Sequence, residues 1–113
     1  MTFQHKTLSE GRWYLLSFCE QMANIGSEVF RAISWKPKDD VYSKKATDRA
    51  LELLCLTIDD KRNIKRLKEL TRLYEVLVDY FYFDNQYGSS DDLWQKYFMA
   101  FTYAAQTIKL KNA

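Results

Sequence analysis

The stretch NIKRLKELTRLYEVLVDYFYFDNQYGSSDDLW, residues 63–94, carries the strongest structural signal in the chain. Apolar side chains recur at gaps of three and four residues from Ile64 to Phe81, which places one stripe on one face of a helix. A second apolar line runs from Leu73 to Phe83. Because a helix that is apolar on two sides has to be covered on two sides, we predict that this is the central helix of a bundle.

Length and composition indicate one globular domain, residues 1–113. The chain is 47% hydrophobic and 28% charged, which is typical of a folded protein and not of a disordered one. Three glycines and one proline are too few for an all-β protein with many tight turns. The formal net charge of +2 is nearly balanced, so net charge alone indicates no polyanionic partner.

We predict a cytoplasmic protein that does not enter membranes. No apolar run approaches the ~20 residues of a membrane span. The opening residues MTFQHKTLSEGR lack the apolar segment of a signal peptide. In the cytoplasm Cys19 and Cys55 would be reduced thiols, and their apolar neighbours favour buried, inert cysteines over a redox or metal role.

Three further helices are predicted around this central helix. Residues 1–8 form a loose arm, after which Ser9 can cap a helix. From Arg12 an amphipathic helix runs to Pro37, with Gln21 among its outward polar positions. Its Gly26 predicts close approach of a neighbouring backbone, because glycine within a helix is otherwise unfavourable by ~1 kcal/mol.

Side chains that cap helices predict where the others begin. Asp39 or Asp40 would start a second helix over about 41–57, and Asp59 and Asp60 would cap a third. Ser89 is the predicted N-cap of the fourth, in the segment GSSDDLW. Four helices joined by short connections predict an all-α antiparallel four-helix bundle with up-down-up-down topology.

The residues needed for common catalytic and metal sites are missing from the sequence. The single histidine, His5, lies in the N-terminal arm, which argues against histidine metal sites and Ser–His or Cys–His pairs. There is no glycine-rich phosphate loop. Four aspartates cluster later in the chain, and turn or helix-start roles are favoured for them over an oxygen-ligand metal site: Asp79, Asp84, Asp91 and Asp92. We therefore predict no catalytic residue, no metal and no cofactor.

A basic stretch, DDKRNIKRLK, opens the third predicted helix. Cations near a helix N-terminus oppose the macrodipole, so a chain that tolerates them can have an anionic partner. Lys61, Lys65 and Lys68 line up with Arg72 at helical spacing and form a candidate anion-binding face. A solvated face is favoured over a nucleic-acid or nucleotide contact.

The segment RLYEVLVDYFYFDNQYGSSDDLW, residues 72–94, resembles the signature of HEPN-type helical bundles. These small proteins are often paired with minimal nucleotidyltransferases, and their ribonuclease members use an arginine and a histidine in a dimer cleft. Arg72 matches the arginine, and Leu93 and Trp94 match the start of the next helix. Asp79 occupies the histidine position and cannot supply proton exchange near neutral pH at an ordinary carboxyl pKa.

The resemblance therefore implies a non-catalytic interaction protein, either a partner subunit of a minimal nucleotidyltransferase or a self-associating homodimer. Its candidate binding or remnant site comprises Arg72, Glu75, Asp79 and Tyr80. The alternative for these side chains is a local ion-pair cluster on one bundle helix. An RNA-cleaving or nucleotide-binding protein of the same family is the second functional interpretation.

Aromatic density supports association and also leaves a third interpretation open. Residues 80–103 contain ten aromatic side chains, more than one helix can turn inward. Some of them should therefore lie at an interface or in a pocket, which favours a homodimer or another protein partner. A small-ligand binder with an aromatic pocket is the remaining possibility.

Overall fold

The computed structural model describes residues 11–111, with side chains up to residue 108. All regular structure in that range is helical. Four α-helices are present: α1 Phe18–Trp35, α2 Asp40–Asp59, α3 Leu67–Tyr82 and α4 Asp91–Lys111. Two 3-10 helices precede α1 and α3, at Arg12–Leu15 and Lys61–Arg66. The predicted all-α four-helix bundle is confirmed, whereas the N-terminal arm, His5 and Ser9 lie outside the described residues.

The first long helix begins later than predicted. Ser17 caps α1 with a complete capping box: its hydroxyl accepts from the Glu20 amide at 3.1 Å, and its own amide donates to the Glu20 carboxylate at 3.0 Å. Leu16 before it is extended, so the turn at Arg12–Leu15 cannot continue into α1. The reciprocal bonds satisfy two orphan backbone donors, which fixes the start at Phe18.

Side-chain caps also start α2, the second 3-10 helix and α4, whereas α3 begins at Leu67 without the predicted aspartate cap. Asp39 accepts from the Tyr42 amide at 3.1 Å, and Asp60 from the Arg62 amide at 3.0 Å. The prediction for α4 is wrong by one residue, because Ser90, not Ser89, accepts from the Leu93 amide at 3.1 Å. Ser89 is held in the preceding turn, where Asn85 bonds both its amide and its carbonyl.

The central helix is α1, not α3 as predicted. α1 packs along both α2 and α4, whereas α3 packs on α2 and its backbone approaches α4 less closely. A Cβ placed on Gly26 would lie 2.6 Å from the Cβ of Phe98 in α4. This contact confirms the expected close approach at Gly26 and explains why α1 and α4 lie so near one another.

The two apolar lines of α3 are only partly buried. Leu70, Leu73 and Leu77 are in the core. Ile64, at 70% exposure, belongs to the 3-10 helix that precedes α3. Phe83, at 71% exposure, follows the last helical residue. The predicted apolar lines therefore extend beyond both ends of α3, and Ile64 and Phe83 lie at the surface.

A buried polar network joins the bundle end where α2 meets the second 3-10 helix. Gln21, predicted to face outward, is completely buried and donates to Asp60 at 2.9 Å. Asn63 donates to Gln21 at 3.1 Å. Arg62 donates to Asp60 through Nε and Nη2, and these bonds, opposed by burial, lower the Asp60 pKa to about 2. Each buried amide thus has a partner, as buried polar groups require.

Neither predicted inert cysteine is fully buried. Cys19 and Cys55 are half-buried free thiols. Burial raises the pKa of Cys55, which keeps its sulfur as an unreactive thiol.

Between residues 11 and 111, no helix has the length and apolarity to cross a bilayer.

Candidate functional site

Asp79 closes the turn between α3 and α4. The residue is 8% exposed, and its carboxylate accepts from the backbone amides of Gln86 at 2.9 Å and Tyr87 at 3.1 Å. Its backbone carbonyl accepts from Phe83 and Asn85. The Asp79 carboxylate is therefore engaged by the backbone of its own turn.

Arg72 reaches the same turn through an aromatic ring. Its guanidinium carbon lies 5.1 Å from the centre of the Tyr87 ring, a cation–π distance. Within the described residues, Arg72 and Asp79 form no ion pair with each other, and exposed Glu75 joins neither. The predicted ion-pair cluster is wrong because the turn amides occupy the Asp79 oxygens, and Tyr87 links the two residues instead.

Tyr80 joins three helices through a polar cluster. Its hydroxyl donates to Asp91, the first residue of α4. Lys36, at the end of α1, donates to the Tyr80 hydroxyl at 3.2 Å and to Asp91 at 3.0 Å. Burial and then the bond to Asp91 raise the pKa of Tyr80, so its phenol stays protonated near neutral pH. The cluster therefore fastens helix ends and holds no phenolate to act as a base.

A groove runs between α3 and α4 next to this cluster. One cavity of about 440 Å³ is lined by Ser89, Leu93, Trp94, Lys96 and Tyr97. A second of about 240 Å³ is lined by Glu69, Arg72, Leu73, Val76, Trp94 and Tyr97. Trp94 and Tyr97 line both cavities, so the two cavities are adjacent, and we call them together the α3–α4 groove.

The groove is apolar, with charged groups at its edges. Tyr97 donates to Glu69 at 3.3 Å, and burial followed by this carboxylate raises the pKa of Tyr97, so the phenol is neutral. Arg72 lines the smaller cavity, and Lys96, paired with Asp92 at 3.0 Å, lines the larger one. Trp94 is 6% exposed, and among the described residues no acceptor bonds its buried indole N–H.

Aromatic side chains near the groove are divided between core and surface. Four of the ten in residues 80–103 are exposed: Tyr82, Phe83, Tyr87 and Tyr103. Leu93, which lines the groove, is 56% exposed. None of these four rings lines either cavity of the groove, and Phe83 and Tyr87 lie in the turn between α3 and α4.

The predicted basic face lies at the opposite end of α3 from Asp79. Lys61 and Lys65 belong to the 3-10 helix and Lys68 to the first turn of α3, and all three are exposed. Their neighbours Arg62 and Arg66 turn toward the protein, to Asp60 and to the Phe18 ring respectively. The structure therefore brings Arg72, Asp79 and Tyr80 toward one turn and leaves the three lysines apart from it.

Sequence reasoning missed Lys36 and Tyr97. Lys36 is 44 residues from Tyr80 and 55 from Asp91, so no local period could connect them. The sequence marks Tyr97 only as one of the ten aromatic residues within 80–103. Among residues with described side chains, no group of three or more potential metal ligands comes together.

No protein-family model, no curated protein and no solved structure matches this chain, so the HEPN resemblance stays a prediction from residues 72–94.

Proposed function

We propose that this chain is a non-catalytic protein-interaction module that self-associates through the α3–α4 groove. The observation that carries the proposal is the groove itself, an apolar surface whose lining residue Leu93 is 56% exposed. Apolar area left in water is unfavourable by roughly 25 cal/mol for each Å², and a second copy covering it recovers that free energy. The two half-buried thiols, both free, fit a cytoplasmic protein.

The geometry around Asp79 argues against an enzyme of the HEPN type. A catalytic group has to reach the substrate and exchange a proton near the working pH. Asp79 is buried and bonded to two turn amides, and Tyr80 is a protonated phenol between Lys36 and Asp91. We therefore expect no cleavage of single-stranded RNA by the purified protein. Cleavage that Arg72→Ala abolishes, with an unchanged helical spectrum, would contradict this.

The groove also fits the other protein partner that the resemblance implies. A minimal nucleotidyltransferase subunit would cover the same apolar surface, with Arg72 and Lys96 at its edges. A small apolar ligand is the second candidate function, favoured by a cavity of about 440 Å³ in the size range of ligand pockets.

The direct test compares the masses of two matched variants by sedimentation equilibrium. Leu93→Glu places a charge on the groove, and Val41→Glu places the same charge on the first turn of α2, where Val41 is 66% exposed. An acidic residue in the first turn of either helix is compatible with the helix dipole, so both variants should fold. The wild type and Val41→Glu should reach a dimer mass, twice 13.5 kDa, and Leu93→Glu should remain a monomer.

The remaining outcomes separate the alternatives. A monomeric wild type at high micromolar concentration would refute self-association and leave a separate protein or a small ligand as the groove's occupant. If Leu93→Glu still forms a dimer, the dimer interface lies outside the groove.

A further inference from the structure

A second exposed surface lies away from the groove, along the second 3-10 helix and the first turn of α3. It consists of Lys61, Ile64, Lys65, Leu67 and Lys68, and we call it the basic strip. All five side chains are exposed. In the part of the chain with described side chains, none of the three lysines has an ion-pair partner. The strip thus presents uncompensated positive charge.

Two aliphatic side chains lie among these cations. Ile64 is 70% exposed and Leu67 is 41% exposed. Residues three apart in a 3-10 helix eclipse one another, so Lys61, Ile64 and Leu67 follow one line. Arg66 turns away from the strip, with its guanidinium 4.1 Å from the centre of the Phe18 ring. The strip therefore combines unpaired ammonium groups with solvated aliphatic surface in two turns of chain.

We propose that the basic strip docks an acidic helical segment of a partner protein that carries aliphatic side chains between its carboxylates. The three lysines span roughly 13 Å along the chain, from the rises of 3-10 and α-helices, about two turns of a partner helix. Carboxylates spaced one turn apart on that helix would face the lysines. Its aliphatic side chains would cover Ile64 and Leu67, so charge and apolar surface are both complemented.

The composition of the strip favours this partner over the other polyanions. Nucleic-acid strands gain from aromatic stacking platforms, and the sequence KRNIKRLK of residues 61–68 contains no aromatic residue. Phosphate contacts would leave Ile64 and Leu67 uncovered. An amphipathic helix lying on a membrane buries a broad apolar face, whereas here only two aliphatic side chains lie among the lysines.

The test measures binding of a fluorescein-labelled synthetic helical peptide with glutamate and leucine on one face and alanine elsewhere. A peptide of the same composition in scrambled order is the reference. The protein carries Leu93→Glu throughout, which keeps any association at the groove out of the measurement. Lys65→Glu is compared with Lys45→Glu, because both residues are exposed lysines and both substitutions change the net charge equally. Ile64→Ser tests the aliphatic part.

We expect the patterned peptide to bind more tightly than the scrambled one. Lys65→Glu should weaken binding by roughly tenfold, since it puts like charges together at the contact. Ile64→Ser should weaken it several-fold, and Lys45→Glu should leave it unchanged. Circular dichroism of each variant checks that the fold is retained.

Four results would overturn the proposal. Equal losses of peptide affinity for Lys65→Glu and Lys45→Glu would mean that only the net charge of the protein determines binding. Tighter binding of polyuridine, insensitive to Ile64→Ser, would assign the strip to nucleic acid. Preferred binding to phosphatidylserine vesicles would assign it to a membrane surface. If the patterned peptide binds no more tightly than its scrambled reference, the proposed docking site is refuted.

Discussion

Removing the Asp79 carboxylate tests whether it is a structural group. Asp79→Ala deletes the acceptor of two backbone amides, Gln86 at 2.9 Å and Tyr87 at 3.1 Å. Hydrogen bonds to a charged group contribute about 1.5–3 kcal/mol each. Because Gln86 and Tyr87 are exposed, water can replace part of these hydrogen bonds. We therefore expect Asp79→Ala to lower the free energy of unfolding by about 2–3 kcal/mol. Asp79→Asn keeps one amide oxygen as acceptor and should lose about half as much.

Urea unfolding at neutral pH, followed by circular dichroism, measures these losses as changes in the free energy of unfolding. Arg72→Ala alone should cost about 0.5–1 kcal/mol, the value of an exposed cation–π contact with Tyr87. In the Asp79→Ala background that cost should vanish, because the turn no longer holds the Tyr87 ring. A loss below about 0.5 kcal/mol for Asp79→Ala, the value of an exposed ion pair, would refute the role assigned to the carboxylate.

Two further predictions concern packing and pH. Gly26→Ala should destabilise the bundle by about 1–2 kcal/mol, because its Cβ would lie 2.6 Å from the Phe98 Cβ and overpacking outweighs the gain in helix propensity. Thermal unfolding against exposed Ser27→Ala checks this, and a raised melting temperature for Gly26→Ala would contradict it. The bonds from Arg62 lower the Asp60 pKa from 3.8 to about 2, so they stabilise the fold fully above pH 3.8 by about 2 kcal/mol. This stability should be lost as the pH falls toward 2, and Asp60→Asn should remove that part of the acid dependence.

Local sequence accounts for most of the helical framework. Asp39 caps α2 as predicted, because a side-chain acceptor next to a free amide acts within three residues. Asp60 caps the second 3-10 helix instead of α3, which begins at Leu67 without a side-chain cap. Pro37 lies just beyond the end of α1, and Gly26 marks the close approach to α4. Such signals depend on neighbours along the chain, so they can be read without the structure.

Longer-range contacts explain where the sequence was misleading. Gln21 was assigned to the outer face by its polarity, yet Asp60 and Asn63 supply hydrogen bonds that allow its burial. The Lys36 cluster joins residues that only the tertiary fold brings together. The alternative of a direct ion pair between Arg72 and Asp79 is wrong, because both side chains contact the turn after α3, whose geometry no helical period describes.

Self-association through the groove is tested most directly by the indole N–H resonances in a dilution series followed by ¹⁵N NMR. The chain has three tryptophans, so each indole serves as a separate reporter. Trp94 lines both cavities of the groove, whereas Trp13 donates to buried Thr57 at 3.0 Å and Trp35 packs against Tyr42 in α2. We expect the Trp94 resonance to move between low and high micromolar concentration while those of Trp13 and Trp35 stay fixed. A Trp94 resonance that does not move, or a shift confined to Trp35, would contradict self-association at this groove.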